Sequence, residues 1–281
     1  MPPELARLYD AYVDSFRAAD GALPSMMRLK RLHTDQVVKN AEAIASGEGF
    51  SPEARMAALA AALLHDTGRY EQLKRYDTFR DADSVDHAVF SHDIVVEKGW
   101  LRALRLRPDL QDAILKAVLY HNRRDLPADM DALTATAAHA VRDADKLDIF
   151  RVLEDQVEKT DWHRDARAFW NLSVTAPPSP AVVACIERGA PVDYQEIRSL
   201  SDFVLIQVGW MISGLHYATS RRLCRARGHL AYRRGFLRRL SDSPDIDRLC
   251  DSADRALGAP AAGGASAASA GNAAGNGAII A

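Results

Sequence analysis

The chain has 281 residues, with 36 lysines and arginines against 38 acidic residues, 48% hydrophobic and 26% charged. That profile excludes a disordered or fibrous protein and supplies apolar mass for one large core or two small ones. The net charge of -2 excludes wholesale attraction to nucleic acid or an anionic membrane, and the separated Cys185, Cys224 and Cys250 form neither a disulfide framework nor a cysteine zinc site.

In chain order, the first twenty residues carry Glu4, Arg7, Asp10 and Asp14 where a signal peptide needs an apolar stretch. No run reaches the roughly 18 apolar residues of a membrane span, so a cytoplasmic protein without membrane contact is expected. Residues 1–24 read as a helical extension. A helix over Leu29 to Ala45 carries His33 and stops at the Gly47-Glu48-Gly49 turn. Ser51 is the expected N-cap of the next helix, with Pro52 at its first position and Ala54 to Leu64 apolar nearly all round. That buried helix runs directly into His65-Asp66.

The polar stretch Tyr76 to Asp86, with Asp77, Asp81, Asp83 and Asp86, is either a mobile cover or a polar loop, and it leads to His87 and His92. A turn at Leu126-Pro127 separates His121 from a helix holding Val141 to Asp148, and Pro177-Pro178-Ser179-Pro180 makes another break. Phe203, Trp210 and Tyr217 recur every seven residues on a predicted helix, as core packing requires. Arg221 to Arg239 holds eight arginines and no acid, a solvated or salt-bridged face by preference over a nucleic-acid contact. From Gly258 the sequence is uncharged Ala, Gly, Ser and Asn, and disorder is expected. Strand-like alternation is missing throughout. The expected fold is all-α, with a helical-bundle core over 25–160, a C-terminal helical part over 161–257 packed on it, and a tail over 258–281.

The nine histidines carry the chemistry. An adjacent imidazole and carboxylate at the inner end of an apolar helix are costly to bury unless paired or bound to metal. His33 on an earlier helix and an aspartate on a later one complete a mixed nitrogen and oxygen donor set suited to Mn, Fe, Co, Ni or Zn rather than Ca. Asp143, Asp145 and Asp148 all lie on that later helix. Residues 143 and 145 point about 200° apart, so both cannot serve one ion.

The order His33, then Leu63-Leu64-His65-Asp66-Thr67-Gly68-Arg69, then Arg142-Asp143-Ala144-Asp145-Lys146-Leu147-Asp148 resembles the H…HD…D signature of the HD-domain superfamily of metal-dependent phosphohydrolases. Phe79 to His87, Tyr120-His121-Asn122-Arg123 and the segment Asp202 to Trp210 are similar to a bacterial subgroup of HD proteins, extending the resemblance over about residues 25 to 255. The resemblance implies that His33, His65, Asp66 and Asp145 hold a first metal, with Asp143 outside the ligand set and His139 as its possible partner. In the subgroup a glycine follows the inward histidine by four positions. Here that place is Ser91, a departure, and the pattern favours His87 over His92. Members with two added histidines commonly hold two metals, which puts His87 and His121 on a second ion; without it they are substrate contacts or general acids.

The resemblance therefore implies a phosphohydrolase with one or two divalent ions (Mn, Fe, Co, Ni, Zn or Mg), Asp66 as the natural bridge, and Asp66, His87 and His121 as catalytic residues. A small phosphorylated substrate, mono- or diester and a nucleotide among the candidates, would meet Arg69, Lys146 and Arg123 or Arg124, which follow the ligands closely. The Gly-Tyr-Pro element of cyclic di-GMP phosphodiesterases and the Glu-Asp pair of alarmone hydrolases are both absent. A di-iron oxygenase and a non-catalytic HD binding module remain as alternatives.

Overall fold

A computed structural model of the protein describes residues 1–162, 172–193 and 196–258, and among these every extended element is a helix. The fold is all-α; beyond the helices there is a lone bridge between Ser173 and Ser199. The tail expected to be disordered lies, from residue 259 on, outside the described residues. Among the described residues no helix is long and apolar enough to cross a membrane.

The chain divides into two compact units, with the division falling after Asp148. The first contains α1 (Pro3–Asp14), α2 (Ser25–Gly47), α3 (Pro52–Leu64), α4 (Gly68–Tyr76), α5 (His87–Lys98), α6 (Trp100–Ala103), α7 (Pro108–Tyr120) and most of α8 (Ala132–Lys159). Its centre is α3. Ser51 caps it by accepting from the Ala54 N–H at 3.2 Å, and Pro52 takes the first turn, where a missing N–H costs nothing. From Ala57 to Leu64 every residue is buried. The alanines let α1, α2 and α7 approach it closely, while Leu59, Leu63 and Leu64 each contribute roughly 2 kcal/mol of burial. The N-terminal extension is anchored to this unit: the Tyr9 hydroxyl lies 3.1 Å from that of Tyr70, and Tyr12 donates to the Thr67 carbonyl at 3.3 Å.

The second unit contains the end of α8, α9 (Pro180–Glu187), α10 (Leu200–Gly209), α11 (Ala218–Ala226), α12 (His229–Leu240) and α13 (Pro244–Gly258). Here one expectation is corrected. Phe203, Trp210 and Tyr217 do not share a helix: α10 ends at Gly209, Trp210–Gly214 forms a single π turn, and Leu215 and Tyr217 are extended. Gly209 permits a close approach, since a Cβ there would meet Ile186 of α9 at 3.1 Å, and Gly214 favours the exit from helix. A seven-residue spacing cannot register such a break.

Candidate metal centre

Two helices of the first unit end on a histidine. His65 follows α3 and His121 follows α7, and each ring turns back so that Nδ1 lies 2.8 Å from the Ala62 carbonyl and 2.7 Å from the Val118 carbonyl. Carbonyls in the last turn of a helix lack an intrahelical partner, and they accept only, so each Nδ1 carries the proton. The other two rings are held by carboxylates: His33 Nδ1 lies 2.7 Å from Asp148 Oδ2, and His87 Nδ1 lies 2.5 Å from Asp81 Oδ2. With all four Nδ1 positions held by acceptors, the four Nε2 atoms are the ones turned to the interior.

Those Nε2 atoms converge in two couples. His33 and His65 Nε2 are 3.3 Å apart, and His87 and His121 Nε2 are 3.0 Å apart. Between the couples lies Asp66, with Oδ2 3.5 Å from His65 Nε2 and 3.7 Å from His33 Nε2, and Oδ1 3.6 Å from His87 Nε2 and 3.9 Å from His121 Nε2. Asp145 Oδ1 joins the first couple, 3.1 Å from His33 Nε2. Burial together with the neighbouring histidines holds His121 well below the usual imidazole range, and burial lowers His65 as well, so both rings are neutral. Burial pushes His33 down too, but the hydrogen bonds to Asp145 and Asp148 outweigh it and carry the ring up to about 9. Asp66 lies well below the carboxylate range: burial opposes ionisation, and Lys30 foremost overrides it. Asp145 is lowered by its contact with His33 against the same opposition. Nε2 atoms this close to one another and to carboxylates call for a shared proton or cation among them. Neutral imidazoles with buried carboxylates are a donor set for a divalent transition metal, and the groups His33, His65, Asp66 and Asp66, His87, His121 could each hold an ion.

Residues 32–149 match the family model of the HD domain. The chain carries an HD domain. No curated protein and no solved structure matches the chain. The matched segment runs from just before His33 to just after Asp148 and encloses all six histidine and aspartate positions of the centre.

Within the HD domain, the glycine after His65-Asp66-Thr67 has a steric task. A Cβ on Gly68 would lie 2.7 Å from the Ser91 nitrogen and 3.0 Å from the His87 carbonyl, so only glycine lets α5 bring His87 against Asp66. Ser91, the departure from the subgroup pattern, accepts from the Gly68 N–H at 2.8 Å and is buried in the same contact. His87 faces inward, whereas His92 lies at the surface beside Asp93. Asp86 caps α5 through the Ala88 and Val89 N–H groups and accepts from Asn122 at 2.9 Å, linking the two histidine-bearing ends.

The acidic loop is fastened rather than loose. Asp81 accepts from the His87 ring and backbone, from Arg69 Nη1 at 2.9 Å and from Gln72 at 3.0 Å. Arg69 is buried and also donates to Gln72 and to the Phe79 carbonyl. Of the other cations placed beside the site by sequence, Lys146 is buried with Nζ 3.4 Å from the Arg142 carbonyl, and burial pushes it down to about 8. Arg123 is a third exposed and lies 3.6 Å from Asp86, while Arg124 is exposed. The three aspartates of α8 separate: Asp145 faces the Nε2 side of His33, Asp148 the Nδ1 side, and Asp143 is buried and joins neither metal-ligand group.

Three features escaped the sequence reading. Lys30 is buried and donates to Asp66 Oδ2 at 2.9 Å; its only signal is that it precedes His33 by three residues on one helix face. Asp148 has the same spacing from Asp145. Asp81 offered no signal beyond its charge.

Proposed function

We propose that the protein hydrolyses a small phosphate ester, a nucleotide among the candidates, with two divalent ions held by His33, His65 and Asp145 on one side, His87 and His121 on the other, and Asp66 between them. The observation that carries this reading is the straddling carboxylate, which sends one oxygen to each histidine couple. Ions bound there supply Lewis-acid polarisation of a phosphoryl oxygen and a water acidified toward neutrality.

The chain's own residues prepare that chemistry. Asp148 and Asp81, with the Ala62 and Val118 carbonyls, hold the four rings in one tautomer and orientation, as supports of metal-ligating histidines do. Gly68 and Ser91 set the spacing between the couples. With the imidazoles neutral, as ligation requires, the buried side chains Lys30, Arg69 and Lys146 stand against Asp66, Asp81, Asp145 and Asp148, three cations to four carboxylates. Two divalent ions turn that deficit into a positive excess that an anionic substrate answers. This charge pattern favours a phosphorylated substrate over a neutral one. Of the sequence-derived phosphate receivers, Lys146 follows a ligand directly, and Arg69 commits Nη1 to Asp81, Gln72 and Phe79 while its Nε lies 3.5 Å from Asp66 Oδ1.

The test is metal analysis of the purified protein and of Asp66→Ala, with hydrolysis of p-nitrophenyl phosphate and bis-p-nitrophenyl phosphate in added Mn²⁺, folding of the variant being checked by circular dichroism. The expected result is one to two metals per chain and hydrolysis, with metal loss and a fall of about 10³-fold in kcat/KM in the variant. Two irons per chain with oxygen consumption and no hydrolysis would replace this reading with the di-iron oxygenase. A folded wild type without metal would end both.

A further inference from the structure

We propose that Lys30 is an anion-binding residue of the centre, paired with Asp66 when no ion is bound and receiving a phosphoryl oxygen of the substrate when the site is loaded. The inference rests on the metal-centre reading above and deepens it. Lys30 lies on α2, two residues ahead of the segment that matches the HD-domain model. Its side chain is 3% exposed, with the ammonium 2.9 Å from Asp66 Oδ2 and 5.4 Å from the centre of the Phe79 ring. Asp66 takes one of its three N–H donors.

A buried ammonium is costly unless an anion meets it. Asp66 meets that need, but the same Oδ2 faces the His33 and His65 couple. Once Asp66 shares its charge with a divalent ion, Lys30 is left with a weakened partner and a repelling neighbour. It then requires a second anion within reach of Asp66, where the reacting phosphoryl group must come. Of the other cations, Arg69 spends Nη1 on Asp81, Gln72 and the Phe79 carbonyl and holds Nε 3.5 Å from Asp66 Oδ1, the oxygen that Lys30 leaves, while Arg123 lies 3.6 Å from Asp86.

The experiment titrates Mn²⁺ calorimetrically into wild type, Lys30→Met and Lys30→Arg, then titrates inorganic phosphate into each Mn²⁺-loaded protein. Lys30→Met is expected to bind Mn²⁺ at least as tightly as wild type, since a competing cation has gone, and to bind phosphate about 10-fold to 100-fold more weakly, the range of a charge-assisted hydrogen bond. Lys30→Arg is expected to recover most of that loss. Unchanged phosphate affinity in Lys30→Met, with Mn²⁺ still bound, would overturn the role of Lys30 while leaving the metal centre standing. Weaker Mn²⁺ binding in Lys30→Met, with phosphate unrestored by arginine, would make Lys30 a support for Asp66 alone and overturn the proposal. Absence of Mn²⁺ binding in wild type would overturn the metal-centre reading itself.

Discussion

Each unit of this protein buries a charged cluster, and the two clusters are built on opposite principles. In the second unit Arg233 is fully buried, and its guanidinium is met on every side: Nε and Nη2 donate to Gln207 Oε1, Nη2 to the Phe150 carbonyl at 2.8 Å, and Nη1 to Glu154 at 2.7 Å and the His229 carbonyl at 2.9 Å. The His229 ring closes on Glu154 at 2.7 Å. Donor meets acceptor and cation meets anion. In the first unit like meets like, as imidazole Nε2 atoms face each other around a shared carboxylate. Among the described residues no group of three metal-ligating side chains forms around His229, whereas two such groups share Asp66. A guanidinium whose donors are all met is a strut, even with Gln207 Nε2 and His229 Nε2 left without a partner beside it; a converging set of imidazoles and a carboxylate is a donor set for a cation.

This contrast can be broken most strongly at Arg233. Removing one partner from a buried, hydrogen-bonded pair leaves the other uncompensated, so Arg233→Met is expected to lower unfolding free energy by about 3 kcal/mol while metal content per folded chain stays unchanged. Chemical denaturation with metal analysis checks both, and a variant as stable as wild type would remove the strut from the comparison. Asp81→Asn comes next. Weakening the support of His87 is expected to reduce metal affinity about 10-fold to 100-fold with little change in the stability of the metal-free protein, as read by calorimetry and thermal unfolding. An equal loss of stability would make Asp81 a strut as well.

The smallest expected effect is a pH dependence. Glu154 is held below the ordinary carboxylate range: burial opposes ionisation, and His229 and Arg233 override it. A carboxyl lowered in the folded state adds stability that is present above its unfolded pKa and lost as pH falls through the folded value. The acid limb of wild-type stability should therefore steepen below about pH 4.5, and Arg233→Met should flatten it. Identical acid limbs would show that the pair contributes nothing to acid stability.

Much of the centre was legible in the chain because its residues lie at marked places. His65 and His121 stand at the ends of apolar helices, where a polar residue is conspicuous, and His33 precedes them on a helix of its own. Asp81 and Lys30 were not legible in this way. An aspartate in an acidic loop and a lysine on a helix look like solvated surface until folding brings Asp81 to the Nδ1 of His87 and Lys30 across 36 residues to Asp66. The arginine-rich stretch illustrates the converse. Read alone it lacks acids, but Arg234 and Arg238 pair with Asp251 and Asp247 of the following helix at 2.7 Å.

The sequence by itself determined the all-α class, the capped start of α3, the run of small apolar residues along that helix, and the residue types able to hold a metal. These follow from local propensity, capping and side-chain chemistry, which act within a few turns of chain. Only the tertiary structure decided which aspartate of α8 faces the Nε2 side of His33 and which its Nδ1 side, why position 68 must be glycine, and that Asp66 lies between two histidine couples with Lys30 on one of its oxygens. Helical periodicity says which residues share a face. The meeting of α2, α3, α5, α7 and α8 around one carboxylate depends on how those faces pack, and that is written in contacts between residues far apart in the chain.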